Sequence, residues 1–107
     1  MNLSHPAMKT HPMKLVTIIC EALAREPVKK LLADAGAHGW TMFDVAGSGA
    51  QGERAGDIQE FGNIQVEVIV QPAVADRLLE RLHREFFSRF AMVAYTSDIQ
   101  VLRREKF

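Results

Sequence analysis

The segment Ile64–Val70 alternates β-branched residues with mainly polar ones, and no other pattern in the chain constrains the fold as strongly. A period of two places every second side chain on one face of a strand, so the alternation predicts a strand with one buried face. A second strand-like run, Trp40–Val45, precedes it. The stretch Gly47–Gly62 between them far exceeds the roughly 2–5 residues of an ordinary hairpin loop. We therefore predict an antiparallel strand pair joined by a long glycine-rich loop, and loops of this length usually serve function.

The remaining apolar patterns predict two helices and two further strands. Leu15–Cys20 is a short β-branched run and predicts a buried first strand. Pro27 suits the first turn of a helix that would stop at Gly36. Pro72 opens a second helix, and Ala91–Thr96 predicts a last strand, with a further strand-like run over 99–102. The apolar face predicted for the second helix consists of Val74, Leu78, Leu79, Leu82 and Phe86.

The predicted order is strand, helix, strand, strand, helix, strand. This is the ferredoxin-like βαββαβ arrangement, an α+β fold, here with a long loop between the second and third strands. Residues 13–107 would form one domain, since a chain of 107 residues supports a single core, and residues 1–12 are predicted to be a flexible N-terminal extension. The helices would cover one face of the sheet. The other face would carry Ile69 and either Trp40 or Phe43. These apolar side chains favour the burial of that face in an oligomer.

Composition excludes several classes of function. The 13 basic and 13 acidic residues balance, which argues against non-specific nucleic-acid binding, because that depends on many lysine and arginine contacts to phosphate. No apolar run approaches the roughly 20 residues that span a bilayer. The one cysteine, Cys20, cannot form an intrachain disulfide, so we expect a reducing, cytoplasmic location.

The glycines of the long loop indicate an anion site more than a dinucleotide fold. Residues 47–52 match the pattern G-x-G-x-x-G, but the dinucleotide fingerprint requires that turn to open a helix, and residues 53–57 are typical of a loop. Consecutive glycine N–H groups can still approach a phosphate together. Arg54, Arg103 and Arg104 are candidate phosphate ligands. A plain flexible linker, and a solvated charge cluster at residues 103 and 104, remain the alternatives.

The sequence contains no recognisable enzyme signature. Cys20 lies on an apolar strand, where a cysteine is usually a small buried hydrophobe. His38 and His83 lack nearby acidic or thiol companions, and no pair of histidines has metal-ligand spacing. We therefore expect no catalytic residue and no metal site.

Three segments resemble PII-like signalling proteins. Residues 36–49, Gly-Ala-His-Gly-Trp-Thr-Met-Phe-Asp-Val-Ala-Gly-Ser-Gly, resemble the PII segment that leads into the T-loop, where Gly-x-x-Gly-x-Thr precedes a strand and a Gly-x-Gly. The Lys-Leu-Val start of the first strand and the run Glu-Phe-Phe-Ser-Arg-Phe-Ala at residues 85–91 are most similar to the SbtB-type, carboxysome-associated branch. The similarity extends from Lys14 to about Leu102.

This resemblance implies a homotrimer with adenine-nucleotide sites in the clefts between subunits. Thr41 corresponds to the adenine-contacting threonine, and Arg103 most nearly to the phosphate-binding arginine near the C-terminus. PII has an arginine where this chain has Ala50, and Arg54 could replace it. The implied nucleotide-binding residues are Thr41, Gly47, Ser48, Gly49, Arg54, Arg89, Phe90, Ala91, Met92, Arg103 and Arg104.

The function that follows from the resemblance is regulation rather than catalysis. The phosphate loop after the second helix is shorter than in PII, which favours AMP, ADP or cyclic AMP and leaves ATP open. No cofactor is expected; the regulatory ligands would be an adenine nucleotide and bicarbonate. The partner would be a bicarbonate transporter, bound through the T-loop at the membrane. A small nucleotide-hydrolysing ferredoxin-like enzyme and a CutA-like trimeric structural or metal-tolerance protein are the alternatives.

Overall fold

The computed structural model describes residues 9–47 and 62–107, which form a four-stranded sheet with two helices. The strands are β1 (His11–Glu21), β2 (Gly39–Val45), β3 (Asn63–Val70) and β4 (Met92–Val101). The helices are α1 (Arg25–Asp34) and α2 (Pro72–Arg81). Short turns follow three of these elements: a 3-10 turn over Ala22–Ala24, a π turn over Leu82–Phe86 and a 3-10 turn over Arg104–Lys106.

The strands lie in the order β2-β3-β1-β4, and each neighbouring pair is antiparallel. This order and the sequence of elements confirm the predicted ferredoxin-like βαββαβ fold. The predicted strand pair is present, since β2 and β3 pair from Gly39 opposite Ile69 to Val45 opposite Asn63. The loop that joins these two strands lies outside the described residues except for Gly47 and Gly62.

Strand β1 begins earlier than predicted. The sequence predicts that His11 and Pro12 belong to the flexible extension, but they pair with Val101 and Gln100 of β4. The pairing of β1 with β3 starts only at Lys14. One edge of the first residues of β1 therefore has no strand beside it in the described part of the chain, and a proline without an N–H can be accommodated on such an edge.

Strand β4 is continuous where the sequence indicated an interruption. Ser97 and Asp98, which separated the two predicted runs, pair with Leu15 and Lys14 of β1. Lys14 forms a salt bridge with Asp98 across this pair. A cross-strand charge pair and the continuous β1 ladder thus extend the strand through a polar dipeptide of low strand propensity.

The two helices pack on one face of the sheet and form the core. Leu31 and Leu32 of α1 and Leu78 of α2 are fully buried against β1 and β3. The predicted face of the second helix is correct except that Ala75 is also buried, while Val74 and Leu79 are only partly buried. Gly36 adopts a positive φ of 78° just after α1 and confirms the predicted stop.

Neither α1 nor α2 packs on the opposite face of the sheet. Antiparallel pairing places Phe43 opposite Gln65, whereas Trp40 lies opposite the buried Val68. Phe43 therefore belongs to this open face and Trp40 to the helical side. Phe43, Val93 and Tyr95 are exposed by 40%, 56% and 50%. We call the patch formed by Phe43, Ile69, Val93 and Tyr95 the open face.

The core predicts a large effect of truncation at Leu32. Leu32→Ala should lower the free energy of unfolding by about 2–5 kcal/mol, because it leaves a cavity among fully buried side chains. Leu23→Ala is the matched control and should cost less than about 1 kcal/mol, because Leu23 is 56% exposed. Urea unfolding at one fixed protein concentration measures both. Equal losses in the two variants would contradict this packing.

Candidate functional site

The predicted site residues on β2 lie at one edge of the sheet. Thr41 is exposed and shares the open-face side with Phe43. Arg25 Nη2 donates to Asp44 Oδ1 at 3.0 Å, and Arg25 Nη1 contacts Met42 Sδ at 3.4 Å. These contacts tie the end of β2 to the start of α1. They therefore set the position from which the chain continues to Gly47, whereas Ser48, Gly49 and Arg54 lie outside the described residues.

The end of β1 binds the segments on both of its sides. The Glu21 N–H donates to the Ala91 carbonyl at 3.1 Å, and the Glu21 carboxylate accepts the Ala91 N–H at 2.8 Å. The next residue, Ala22, donates its N–H to the carbonyl of Gly62 at 3.0 Å. Ala91 begins the approach to β4 and Gly62 precedes β3. Glu21 and Ala22 thus bond to the segment after α2 and to the end of the long loop, and they set the position of one relative to the other.

Arg89 lies on the helical side of the molecule. Its guanidinium carbon lies 4.9 Å from the centre of the Phe90 ring and 5.8 Å from that of Phe86, distances at which a cation is attracted to an aromatic ring. The same side chain lines a shallow cleft of about 410 Å³ between α1 and the π turn. The stacking therefore directs Arg89 toward the helices and away from the open face.

Charges of both signs line this cleft. Arg81 donates from Nε and Nη2 to the carboxylate of Glu85, with both distances 3.1 Å. These bonds, with a further one from Arg84, hold the pKa of Glu85 below its ordinary value. Because the pair is at the surface, its contribution to stability is small. The cleft is therefore electrostatically mixed and not an obvious anion site.

Arg103 and Arg104 follow β4 at the other end of the sheet. Both are exposed, and Arg103 Nε lies 3.5 Å from the Glu105 carboxylate. The turn that contains them is closed by N–H bonds from Lys106 and Phe107. The Phe107 ring then packs against Gly39 at the start of β2, where a Cβ would collide with it. The segment after β4 thus crosses the sheet end and reaches the start of β2 at Phe107.

Among residues 9–47 and 62–107, the predicted site segments do not lie together in one chain. Gly47 follows β2 and Ala91 precedes β4, the two outer strands. With strands spaced about 4.8 Å apart, these positions are separated by roughly 14 Å. Arg103 lies at the opposite end of β4 from Ala91. The described part of one chain therefore distributes the predicted site residues over both edges and both ends of the sheet.

Glu21 and Phe107 contact predicted site segments, and sequence reasoning missed both. Glu21 carried one signal, a charged residue directly after an apolar strand. Phe107 carried none, because its partner Gly39 is distant in the chain and only the path after β4 joins them.

The described residues include no convincing nucleophile or metal centre. Burial, with a smaller contribution from the Glu21 charge, raises the pKa of Cys20 to about 11. The interpretation of Cys20 as a buried small hydrophobe is confirmed. Within residues 9–47 and 62–107, no three His, Cys, Asp or Glu side chains cluster as metal ligands. No helix in that part of the chain is long and apolar enough to cross a membrane.

Comparison with known proteins decides the family. The sequence profile of the family "Nitrogen regulatory protein P-II" matches residues 13–106. The chain belongs to the PII family. Proteins of this family are regulatory rather than enzymatic and are typically trimers. The resemblance to PII-like proteins, carried by residues 36–49, is therefore confirmed, whereas the SbtB-type branch stays a prediction.

Solved structures of PII-like proteins match nearly the whole chain. A PII-like signalling protein from Thermus thermophilus is 38% identical, with a TM-score of 0.79, and the alignment covers 94% of this chain and 99% of that one. CPII from Thiomonas intermedia, in complex with ADP, AMP and bicarbonate, is 31% identical over 94% of this chain and 98% of its own, with a TM-score of 0.84. CPII bound to ADP and bicarbonate is 32% identical over 94% and 99% of the two chains, with a TM-score of 0.83.

The contact between Gly39 and Phe107 can be tested by a double-mutant cycle. Gly39→Ala should lower the free energy of unfolding by about 1 kcal/mol or less, because the added methyl group displaces the Phe107 ring, a side chain that can move aside. When Phe107 is already alanine, the same change should cost less than about half as much. Additive effects of the two substitutions would show that the ring does not occupy this place.

The burial of Cys20 predicts slow thiol chemistry. At about pH 8 the native protein should react with a thiol-specific disulfide reagent at least about 100-fold more slowly than the urea-unfolded chain, because the thiolate is the reactive form.

The raised pKa of Cys20 also has a consequence for stability. The ordinary pKa of a cysteine thiol is 9.0, whereas burial raises the pKa of Cys20 in the native protein to about 11. Between these two pH values the unfolded chain loses the thiol proton and the native protein keeps it, so the free energy of unfolding falls as the pH rises. A Cys20→Ala variant should lack this pH-dependent part of the stability. Equal labelling rates of the native and the unfolded wild-type protein would refute the burial of Cys20.

Proposed function

We propose that this PII-family protein is a regulator that senses adenine nucleotides in clefts between the subunits of a trimer. The supporting observation is the likeness to CPII, a protein 31% identical over nearly the whole chain and described in complex with ADP, AMP and bicarbonate. The ligands proposed here are AMP, ADP and cyclic AMP, with ATP as a weaker ligand, and bicarbonate as a co-ligand.

The arrangement of the sheet supports sites between subunits. Thr41 and Gly47 lie on the β2 edge, whereas Ala91 and Met92 lie on the β4 edge. Two copies that bring opposite edges together would complete a site that neither copy has alone. The open face, with its exposed aromatic and aliphatic side chains, supplies an apolar surface for such an assembly.

Several residues of the proposed site supply groups that suit a nucleotide. The Thr41 hydroxyl, exposed on β2, can both donate to and accept from an adenine edge. Gly47 begins a run in which backbone N–H groups can converge on a phosphate. Arg103 and Arg104 supply planar donor forks that match phosphate oxygens. Ser48, Gly49 and Arg54 are included by resemblance to the family.

The signal is proposed to leave the site through the long loop between β2 and β3. A ligand shifts an equilibrium between loop conformations only by its difference in affinity for them, and a tenfold difference corresponds to about 1.4 kcal/mol. We propose that a membrane bicarbonate transporter binds the loop, and that the protein thereby regulates inorganic carbon uptake. This assignment follows the predicted SbtB-type branch. The protein would be cytoplasmic and would lie at the membrane when bound.

Calorimetric titration of the full chain tests the nucleotide site. AMP, ADP, ATP and cyclic AMP are titrated separately, each with and without bicarbonate. We expect saturation near one nucleotide per chain, with Arg103→Ala weakening binding at least about tenfold, because charge-assisted bonds to phosphate are lost. Arg77→Ala is the matched control, since Arg77 is an exposed arginine on α2 far from the proposed site.

The outcomes separate the parts of this proposal. Absence of binding for all four nucleotides would refute the sensor function. Equal losses for Arg103→Ala and Arg77→Ala would refute the assignment of the arginine. If bicarbonate raises the affinity for a nucleotide by some factor, the nucleotide must raise the affinity for bicarbonate by the same factor. Independence of the two ligands would remove bicarbonate from the proposal, and steady hydrolysis of ADP or ATP would indicate an enzyme instead.

A further inference from the structure

The segment expected to contact phosphate already holds an anionic group in this structure. The Ala91 N–H lies in the stretch Arg89–Met92, which is proposed to line the nucleotide cleft. Its partner is the Glu21 carboxylate, at 2.8 Å. Backbone N–H groups of loops can bind phosphate oxygens when successive ones converge. A carboxylate here therefore occupies a donor that a phosphate group could otherwise use.

The Glu21 side-chain bond is not needed to pair the strands. The backbone N–H of Glu21 already donates to the Ala91 carbonyl at 3.1 Å, and the ladder continues at Cys20 opposite Met92. The carboxylate adds a second bond in the reverse direction between the same two residues. The carboxylate bond is therefore additional to the pairing of the strands.

No described cation neutralises this carboxylate. Among residues 9–47 and 62–107, Glu21 forms no salt bridge. Arg25, which follows shortly after it, is bonded to Asp44 at 3.0 Å. The carboxylate thus presents a negative charge at the approach to β4. Like charges at short range repel, and the repulsion grows with each added phosphate.

We propose that Glu21 is a specificity-determining residue that limits the number of phosphates the site accepts. This inference rests on the nucleotide-binding function proposed above. The carboxylate takes the place of a phosphate oxygen at the Ala91 N–H and repels a longer phosphate chain. The site thereby favours AMP and cyclic AMP over ATP, with ADP between them.

Two variants separate the charge of Glu21 from its hydrogen bond. Glu21→Gln removes the charge and keeps an oxygen that can accept the Ala91 N–H, whereas Glu21→Ala removes both. Glu80→Gln is the matched control, because it makes the same change of charge at an exposed glutamate on α2. AMP, ADP and ATP are titrated calorimetrically into the wild-type full chain and all three variants.

The expected result is a change in preference rather than a general loss. Glu21→Gln should raise the ratio of ATP affinity to AMP affinity about tenfold or more, and Glu80→Gln should leave it within about twofold, because only the first charge lies beside the proposed phosphate position. Glu21→Ala should raise the ratio as well. Without nucleotide, the Ala91 amide should exchange its hydrogen faster in Glu21→Ala than in Glu21→Gln, since only the latter retains an acceptor.

Four other results would contradict this inference, each at a different step. A wild-type protein that binds nucleotide, with an unchanged ratio in Glu21→Gln, overturns the role of Glu21 and leaves the nucleotide site intact. Equal shifts in Glu21→Gln and Glu80→Gln also overturn it, because the effect would then be one of net charge. Failure of every protein to bind any nucleotide overturns the proposed function and this inference together. Equal amide exchange at Ala91 in both Glu21 variants would refute the hydrogen bond on which the inference depends.

Discussion

Strand β1 pairs along both of its edges, and the position of every other element depends on this pairing. It forms one ladder with β3 and a longer one with β4, which together place it at the centre of the sheet. Val16, Ile18 and Cys20 project from it into the core beneath the helices. Its last residues then bond to the segments before β3 and β4. The same strand thus supports the core and sets the geometry of the sheet end where the loops emerge.

One layer of helices covers the sheet, which leaves the open face available for assembly. A small domain can bury only part of its apolar surface by itself. Three large exposed hydrophobic side chains, Phe43, Val93 and Tyr95, lie on the side without helices. Trimers, which are typical of the PII family, offer a way to bury such a face. The proposed site between subunits would form in the same assembly.

The polar contacts around the site have different consequences. Arg25 and Asp44 tie β2 to α1, and the pair is too exposed to contribute much stability. The contact of Phe107 with Gly39 is local and steric, and it sets the path of the chain after β4. The carboxylate of Glu21 differs from both, because it places a negative charge beside the Ala91 N–H, in the segment proposed to line the nucleotide cleft. Positioning and selectivity can therefore come from residues outside the glycine-rich loop.

Most of the fold followed from local sequence patterns. The alternation at 64–70 and the helical spacing of 74–86 identified the elements, since each pattern reports which face of an element is buried. Predictions were wrong where distant residues decided the outcome. Pro12 lies in a strand because β4 pairs with it, and Ser97 continues a strand because β1 lies opposite. Neither effect is encoded in the neighbouring residues.

The candidate site, like the fold, was only partly predictable from local sequence patterns. The sequence alone identified the family likeness, the residues 36–49 that carry it and the arginines after β4, because these signals lie in short contiguous motifs. Only the tertiary structure placed Thr41 and Ala91 on opposite edges of the sheet, stacked Arg89 on the helical side, and brought Glu21 to the Ala91 amide. Such relations join residues far apart in the chain. They arise from strand order and side-chain direction, which no local pattern specifies.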